Sequence, residues 1–313
     1  MASFFSKLFG KKKKAVAPIV NYSAPEKKEE TPAENEDAEV LREFDPEVAC
    51  YAPVGPYSES EATRGLSYKS KEYYDAYIVT GRGSSEDKTI IVPESVGGHV
   101  VVSIGDEAFK DDNELTKIII SEGVKYIEGS AFKNCRNLTE VKLPTTIVII
   151  DPCAFEGCSN LKEITLPKKL TEIKYSTFEN CYKLETVRMP ERLEKLGFSA
   201  FSDCGALKNI TIPEGLTTIA RGVFSRSATY ADEVVIPDGV VTIEDYAFAE
   251  SGFGKVYLPS TVKKIGEQCF SSAVEAIIYD GTIAEFGEIE LHENWKDDLK
   301  IFSVKCKDGL ATI

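Results

Sequence analysis

LTEVKLPTTIVIIDPCAFEGCSN, residues 138–160, is the stretch that decides the fold. It opens with Leu138, Val141 and Leu143, and the apolar side chains come to alternate with polar ones, the periodicity of a strand with one buried face. Pro144 closes that strand, because proline has no N–H to give a ladder. A short apolar pair follows, Ile147 and Ile150, and the unit ends in a turn carrying Ala154, Phe155 and Cys158.

The same unit recurs on both sides. Phe109, Phe132, Phe155, Phe178, Phe201, Phe224, Phe248 and Phe270 follow one another at steps of 23, 23, 23, 23, 23, 24 and 22 residues. Leucines keep the step at Leu115, Leu138, Leu161, Leu184 and Leu207, and prolines at Pro144, Pro167, Pro190, Pro213, Pro237 and Pro259. So do Cys135, Cys158, Cys181 and Cys204. One such unit is too small to bury its own apolar face, whereas a stack of them buries a continuous core. Coils about 4.8 Å apart would form a rod or shallow arc.

Composition narrows the function. The 313 residues carry a formal net charge of -14, which argues against a nucleic-acid partner, since phosphate binding needs a basic footprint. No run approaches the roughly 18–20 apolar residues that span a bilayer. The start, MASFFSKLFGKKKK, places its apolar residues before its lysines, the reverse of a secretory signal. The expectation is a cytoplasmic protein. Residues 1–47 are rich in Pro, Glu, Lys and Ala and read as a disordered arm. Its first residues have two readings. One is a solubilising leader. The other is a weak, peripheral membrane contact in which Phe4, Phe5 and Phe9 enter the interface and Lys11, Lys12, Lys13 and Lys14 meet anionic lipid.

The recurring L-x-x-[IV]-x-[IL]-P…I-x-x-x-A-F-x-x-C, seen as LKEITLPKKLTEIKYSTFENC from Leu161 to Cys181, resembles the BspA-like leucine-rich repeats, and the likeness extends roughly from Leu66 to Gly309. It implies a mainly β fold: a right-handed solenoid of about eight coils with short helical or irregular turns, closed by caps. The chain then divides into the arm at 1–47, an N-terminal cap at 48–108, the solenoid at 109–276 and a C-terminal cap at 277–313. TGRGSSEDKTIIVP, residues 80–93, reads as a hairpin leading into the first coil. Departures from the repeat are Ser121 in a proline position, Ala231 in a leucine position, and Phe224, Phe248 and Phe270 with no cysteine three residues on.

The family implies binding and no catalytic residues, and the residues agree. The cysteine column lacks the local C-x-x-C spacing of a zinc site and is better read as a column of small buried side chains. His99 and His292, the only histidines, stand in no nucleophile–base pattern. Gly81-Arg82-Gly83 is not followed by the helix a phosphate loop requires. No cofactor or metal is expected.

Alternation directs attention to the strand face. If Val141 and Leu143 point inward, Glu140 and Lys142 point outward. Repeating that register gives two outward columns. The first is Lys117, Glu140, Glu163, Thr186, Asn209, Glu233 and Lys255; the second is Ile119, Lys142, Thr165, Arg188, Thr211, Val235 and Tyr257. Ile119, Glu140, Lys142, Glu163, Thr165, Arg188, Thr211, Val235 and Tyr257 form the candidate partner-binding face, with Arg188 and Tyr257 of types favoured at hot spots. The expected function is a non-enzymatic scaffold for a protein, peptide or glycan. The alternatives are a structural or surface-display spacer tethered through the arm, and an enzyme with a site in the caps.

Overall fold

The computed structural model describes residues 62–71, 76–208, 210–229, 231–296 and 299–313, all within one of the two units into which the chain divides, Glu47–Ile313. That unit is a solenoid of short parallel strands with a single short described helix, Ile283–Gly287.

Each coil crosses two strand faces and one turn side. On the outer face lie Thr89–Val92, Lys117–Ile120 and Glu140–Lys142, then Glu163–Thr165 and Thr186–Arg188, then Glu233–Val235, Lys255–Pro259, Ala276–Asp280 and Ser303–Cys306. Neighbours within each of these three groups pair in parallel. The coil between the second and third groups forms no strand at Ile210 or Thr211. The second face carries two-residue strands such as Tyr126–Ile127 and Ile149–Ile150, again paired in parallel. At Pro167, Pro190, Pro237 and Pro259 the proline that ends or follows the outer strand opens a tight turn, its carbonyl accepting from a residue three positions on, as in Leu170 N–H to Pro167 O at 3.1 Å.

The turn side explains the phenylalanine period. Seven successive coils there contain two left-handed residues four apart, from Glu107 and Asp111 through Ser130 and Asn134, Cys153 and Gly157, Ser176 and Asn180, and Ser199 and Asp203 to Tyr246 and Glu250. Successive backbone N–H groups then alternate in direction. Those of Lys133 and Cys135 bond within their coil, to Ser130 and Phe132; those of Phe132 and Asn134 bond to Ala154 and Glu156 of the next. The turns therefore stack like a ladder, and the rings between them stack too. From Phe109 to Phe270 all eight rings lie nearly parallel, with centroids 5.2 to 6.0 Å apart, each fully buried or nearly so.

The coil count differs from expectation. The outer face has ten successive positions, Ile91, Ile119, Lys142, Thr165, Arg188, Thr211, Val235, Tyr257, Ile278 and Lys305, one to a coil. The extra turns come from segments read as caps: Thr89–Val92 pairs with Lys117–Ile120, and Ala276–Asp280 and Ser303–Cys306 continue the sheet. The proposed hairpin over residues 80–93 does not form. Ala76–Gly81 pairs with Ser67–Ser70 and His99–Ile104 on the second face, and the chain then crosses to the outer face at Thr89. Arg82 holds that crossing, its guanidinium on both Asp112 carboxylate oxygens at 2.8 and 3.1 Å. At the far end, Trp295 meets Phe270 and Phe286 edge-on and covers the last ring of the stack. The sheet closes with the antiparallel strand Gly309–Thr312.

Two departures from the repeat have local reasons. The Ser121 N–H donates to Val92 O at 3.1 Å, a bond proline could not make. At the cysteine position after Phe224, the Ser227 hydroxyl donates to the carbonyl of Phe201.

Candidate functional site

Cys135, Cys158, Cys181 and Cys204 are all fully buried. Each Sγ donates to the carbonyl of the phenylalanine one coil back, Phe109, Phe132, Phe155 and Phe178, at 2.9 to 3.2 Å. Burial pushes the Cys135 thiol up to about 12 and the Cys158 and Cys204 thiols well above the ordinary range. These are inert protonated thiols that satisfy carbonyls. Cys153, half-buried at a left-handed turn position, is held up at about 11, mainly by burial. Among the described residues no cluster of three or more His, Cys, Asp or Glu is placed to hold a metal ion. His292 Nδ1 accepts from the Asn294 N–H at 3.2 Å, and the His99 ring packs against Tyr77.

The outward rows of the outer face are drawn together in register. Ile118, Val141, Ile164, Val234 and Val256 turn inward and are buried, which sets their neighbours outward. Lys142, Glu163, Thr165, Arg188, Thr211 and Val235 are exposed, while Glu140 and Tyr257 are half-buried. Ile119 corrects the expectation: it is only 7% exposed. Its register partners are Ile91 and Lys142, so an isoleucine and a long methylene stem flank it and leave little of it to solvent. Asn209 lies outside the described residues, as do Phe4, Phe5, Phe9, Lys11, Lys12, Lys13 and Lys14.

The face has two regions of different chemistry. Toward the N-terminal side its charges pair across strands. Lys117 meets Glu140 at 2.9 Å, which draws the Glu140 carboxyl below the usual carboxylate range. Glu140 also meets Lys142 at 3.5 Å, and Arg188 reaches Thr165 at 3.4 Å and Glu163 at 3.9 Å. Such exposed pairs contribute little stability, ~0–1 kcal/mol each, so these groups stay available to a partner. Toward the C-terminal side the outward row turns apolar, as Val235, Tyr257 and Ile278, and it lines a groove of about 450 Å³. Val235 is 55% exposed. Sequence reasoning missed Ile278 and Lys305, which belong to this row but fall in a segment read as cap. It also missed Tyr175 and Phe198, exposed on the turn side with rings stacked at 4.9 Å.

With the buried phenylalanine and cysteine columns in place, the comparison with known families is decisive. The sequence matches the BspA type leucine rich repeat region in six copies, over residues 102–231 and 228–292. The chain belongs to the BspA-type leucine-rich-repeat family. Solved leucine-rich repeat proteins share its fold. A leucine rich repeat protein of T. pallidum is 23% identical, with a TM-score of 0.52 over 67% of this chain and 88% of that one. A leucine-rich repeat protein from Bacteroides ovatus is 24% identical, with a TM-score of 0.55. This chain spans 65% of the length of that protein, and 72% of its own length is matched. Among curated proteins none matches. No helix among the described residues is long and apolar enough to cross a membrane.

Proposed function

We propose that this BspA-type repeat is a non-enzymatic interaction module whose protein partner docks on the outer sheet face. The observation that carries the reading is the apolar run Val235, Tyr257 and Ile278 on the solvent side of the sheet, where an unpartnered strand face would place polar residues. The self-paired charges from Glu140 to Arg188 extend that surface with groups suited to an interface rim. The reading also agrees with the family, whose repeats typically serve protein interaction.

The test is site-specific photo-crosslinking in the full chain. A photoreactive residue is placed at Thr165 or Val235 on the outer face, and at Lys195 or Lys264 on the second face, and each protein is irradiated in native lysate. Adducts from the outer positions alone support the reading. Adducts from the second face alone, or from neither, overturn it.

A further inference from the structure

The groove at the C-terminal end of the outer face has a charge direction as well as an apolar floor. It crosses four neighbouring parallel strands, Glu233–Val235, Lys255–Pro259, Ala276–Asp280 and Ser303–Cys306. Three strand spacings separate its ends, about 14 Å. Two exposed carboxylates flank Val235 at this end: Glu233 on the first strand, beside the floor, and Asp238 on the wall, in the turn that follows the strand. The Tyr257 hydroxyl leans to the Glu233 carboxylate at 3.4 Å. At the last strand stands Lys305, exposed and without an ion-pair partner among the described residues. Between them, Asp280 is neutralised by Lys307 at 2.9 Å. The groove is therefore negative at one end, apolar in the middle and positive at the other.

An extended peptide matches this arrangement. It rises about 3.4 Å per residue, so positions i and i+4 are about 14 Å apart, and positions i, i+2 and i+4 share one face. A base, a large apolar residue and an acid at those positions would meet the Glu233 and Asp238 carboxylates on either side of Val235, the floor of Tyr257 and Ile278, and Lys305 in turn. Resting on the outer-face reading above, we infer that the groove binds an extended polypeptide segment of the pattern [Lys/Arg]-x-Φ-x-[Asp/Glu], where Φ is a large apolar residue. The same side-chain order in the reverse chain direction fits equally, because the occupant lies across the strands and not along an edge. Charge complementarity at the two ends selects it over a merely apolar segment.

The test uses three fluorescent peptides with neutral flanks, centred on Lys-Ser-Phe-Ser-Glu, Lys-Ser-Phe-Ser-Lys and Glu-Ser-Phe-Ser-Glu. Each is titrated with the full chain, and with Lys305→Glu and Asp238→Lys variants whose folding is verified by circular dichroism. The parent is expected to bind the first peptide at least tenfold more tightly than either other. Lys305→Glu should shift the preference to the Lys-Ser-Phe-Ser-Lys peptide, and Asp238→Lys to the Glu-Ser-Phe-Ser-Glu peptide. Equal affinity for all three, binding of none, or an order unchanged by the two variants would overturn the inference. If outer-face cross-links to a partner persist in that case, only this inference falls. If they are absent as well, the outer-face reading falls with it.

Discussion

Replacing Phe178 by alanine tests the central physical claim, that the ring stack holds neighbouring coils together. The ring is fully buried and lies between those of Phe155 at 5.5 Å and Phe201 at 5.4 Å, nearly parallel to both. Truncation removes both stacks and leaves a void that rigid turns on either side cannot close, since their backbones are bonded to one another. Phe155 N–H donates to Thr177 O, and Phe178 N–H to Ala200 O. Loss of a buried phenylalanine costs about 3–5 kcal/mol. For a domain of this size each kcal/mol lowers Tm by about 2–4 °C, so the variant should melt roughly 6–20 °C below the parent. Phe302→Ala is the control, because that ring is 82% exposed and its loss should change stability by no more than about 0.5 kcal/mol. Thermal unfolding followed by circular dichroism reads both. A Phe178→Ala melting temperature within 2 °C of that of Phe302→Ala would refute the reasoning.

Two further outcomes follow from the turn side. The buried thiols ionise near 8.5 when unfolded but, in Cys135, only at about 12 when folded. Their stabilisation is therefore complete below pH 8.5 and is lost as pH rises toward 12, by about 1.4 kcal/mol per pH unit for each such thiol; denaturant titrations at pH 7 and pH 10 should show the parent weakening more than Cys135→Ser, and identical slopes would contradict it. Asn180 sits at φ 62, which glycine adopts freely and a β-branched residue resists, so Asn180→Val should be less stable than Asn180→Gly by about 1–2 kcal/mol in urea unfolding, and equal midpoints would count against the strain argument.

Much of the fold was legible because a solenoid's contacts are local and repetitive. Phe155 meets Phe132 and Phe178 one period away on either side, so the step in the sequence is also the step in space. The cysteine column was readable as buried packing for the same reason. The left-handed turn positions were not read, although Ser130, Asn134, Gly157 and Asn180 carry a signal in residues that tolerate positive φ. Small polar residues are common in any turn, so by themselves they do not single out a left-handed position. The hairpin over residues 80–93 failed because a turn-rich stretch between two apolar runs specifies a bend, not which strand the second run will join.

What the sequence by itself determined was the period, the buried columns and the family, because each repeats many times and every copy restates the same in-or-out choice. What only the tertiary structure decided lies where copies differ or neighbours intrude. Ile119 has the register of an outward residue, yet Ile91 and Lys142 on adjacent strands shield it. Ile278 and Lys305 look like cap in the sequence, yet parallel pairing carries them into the row begun by Val235 and Tyr257. The groove they complete depends on residues 70 apart in the chain, Val235 and Lys305, being brought three strand spacings apart. Hydrophobic periodicity fixes which side of its own strand a residue takes, but exposure and shape depend on the side chains of the strands beside it.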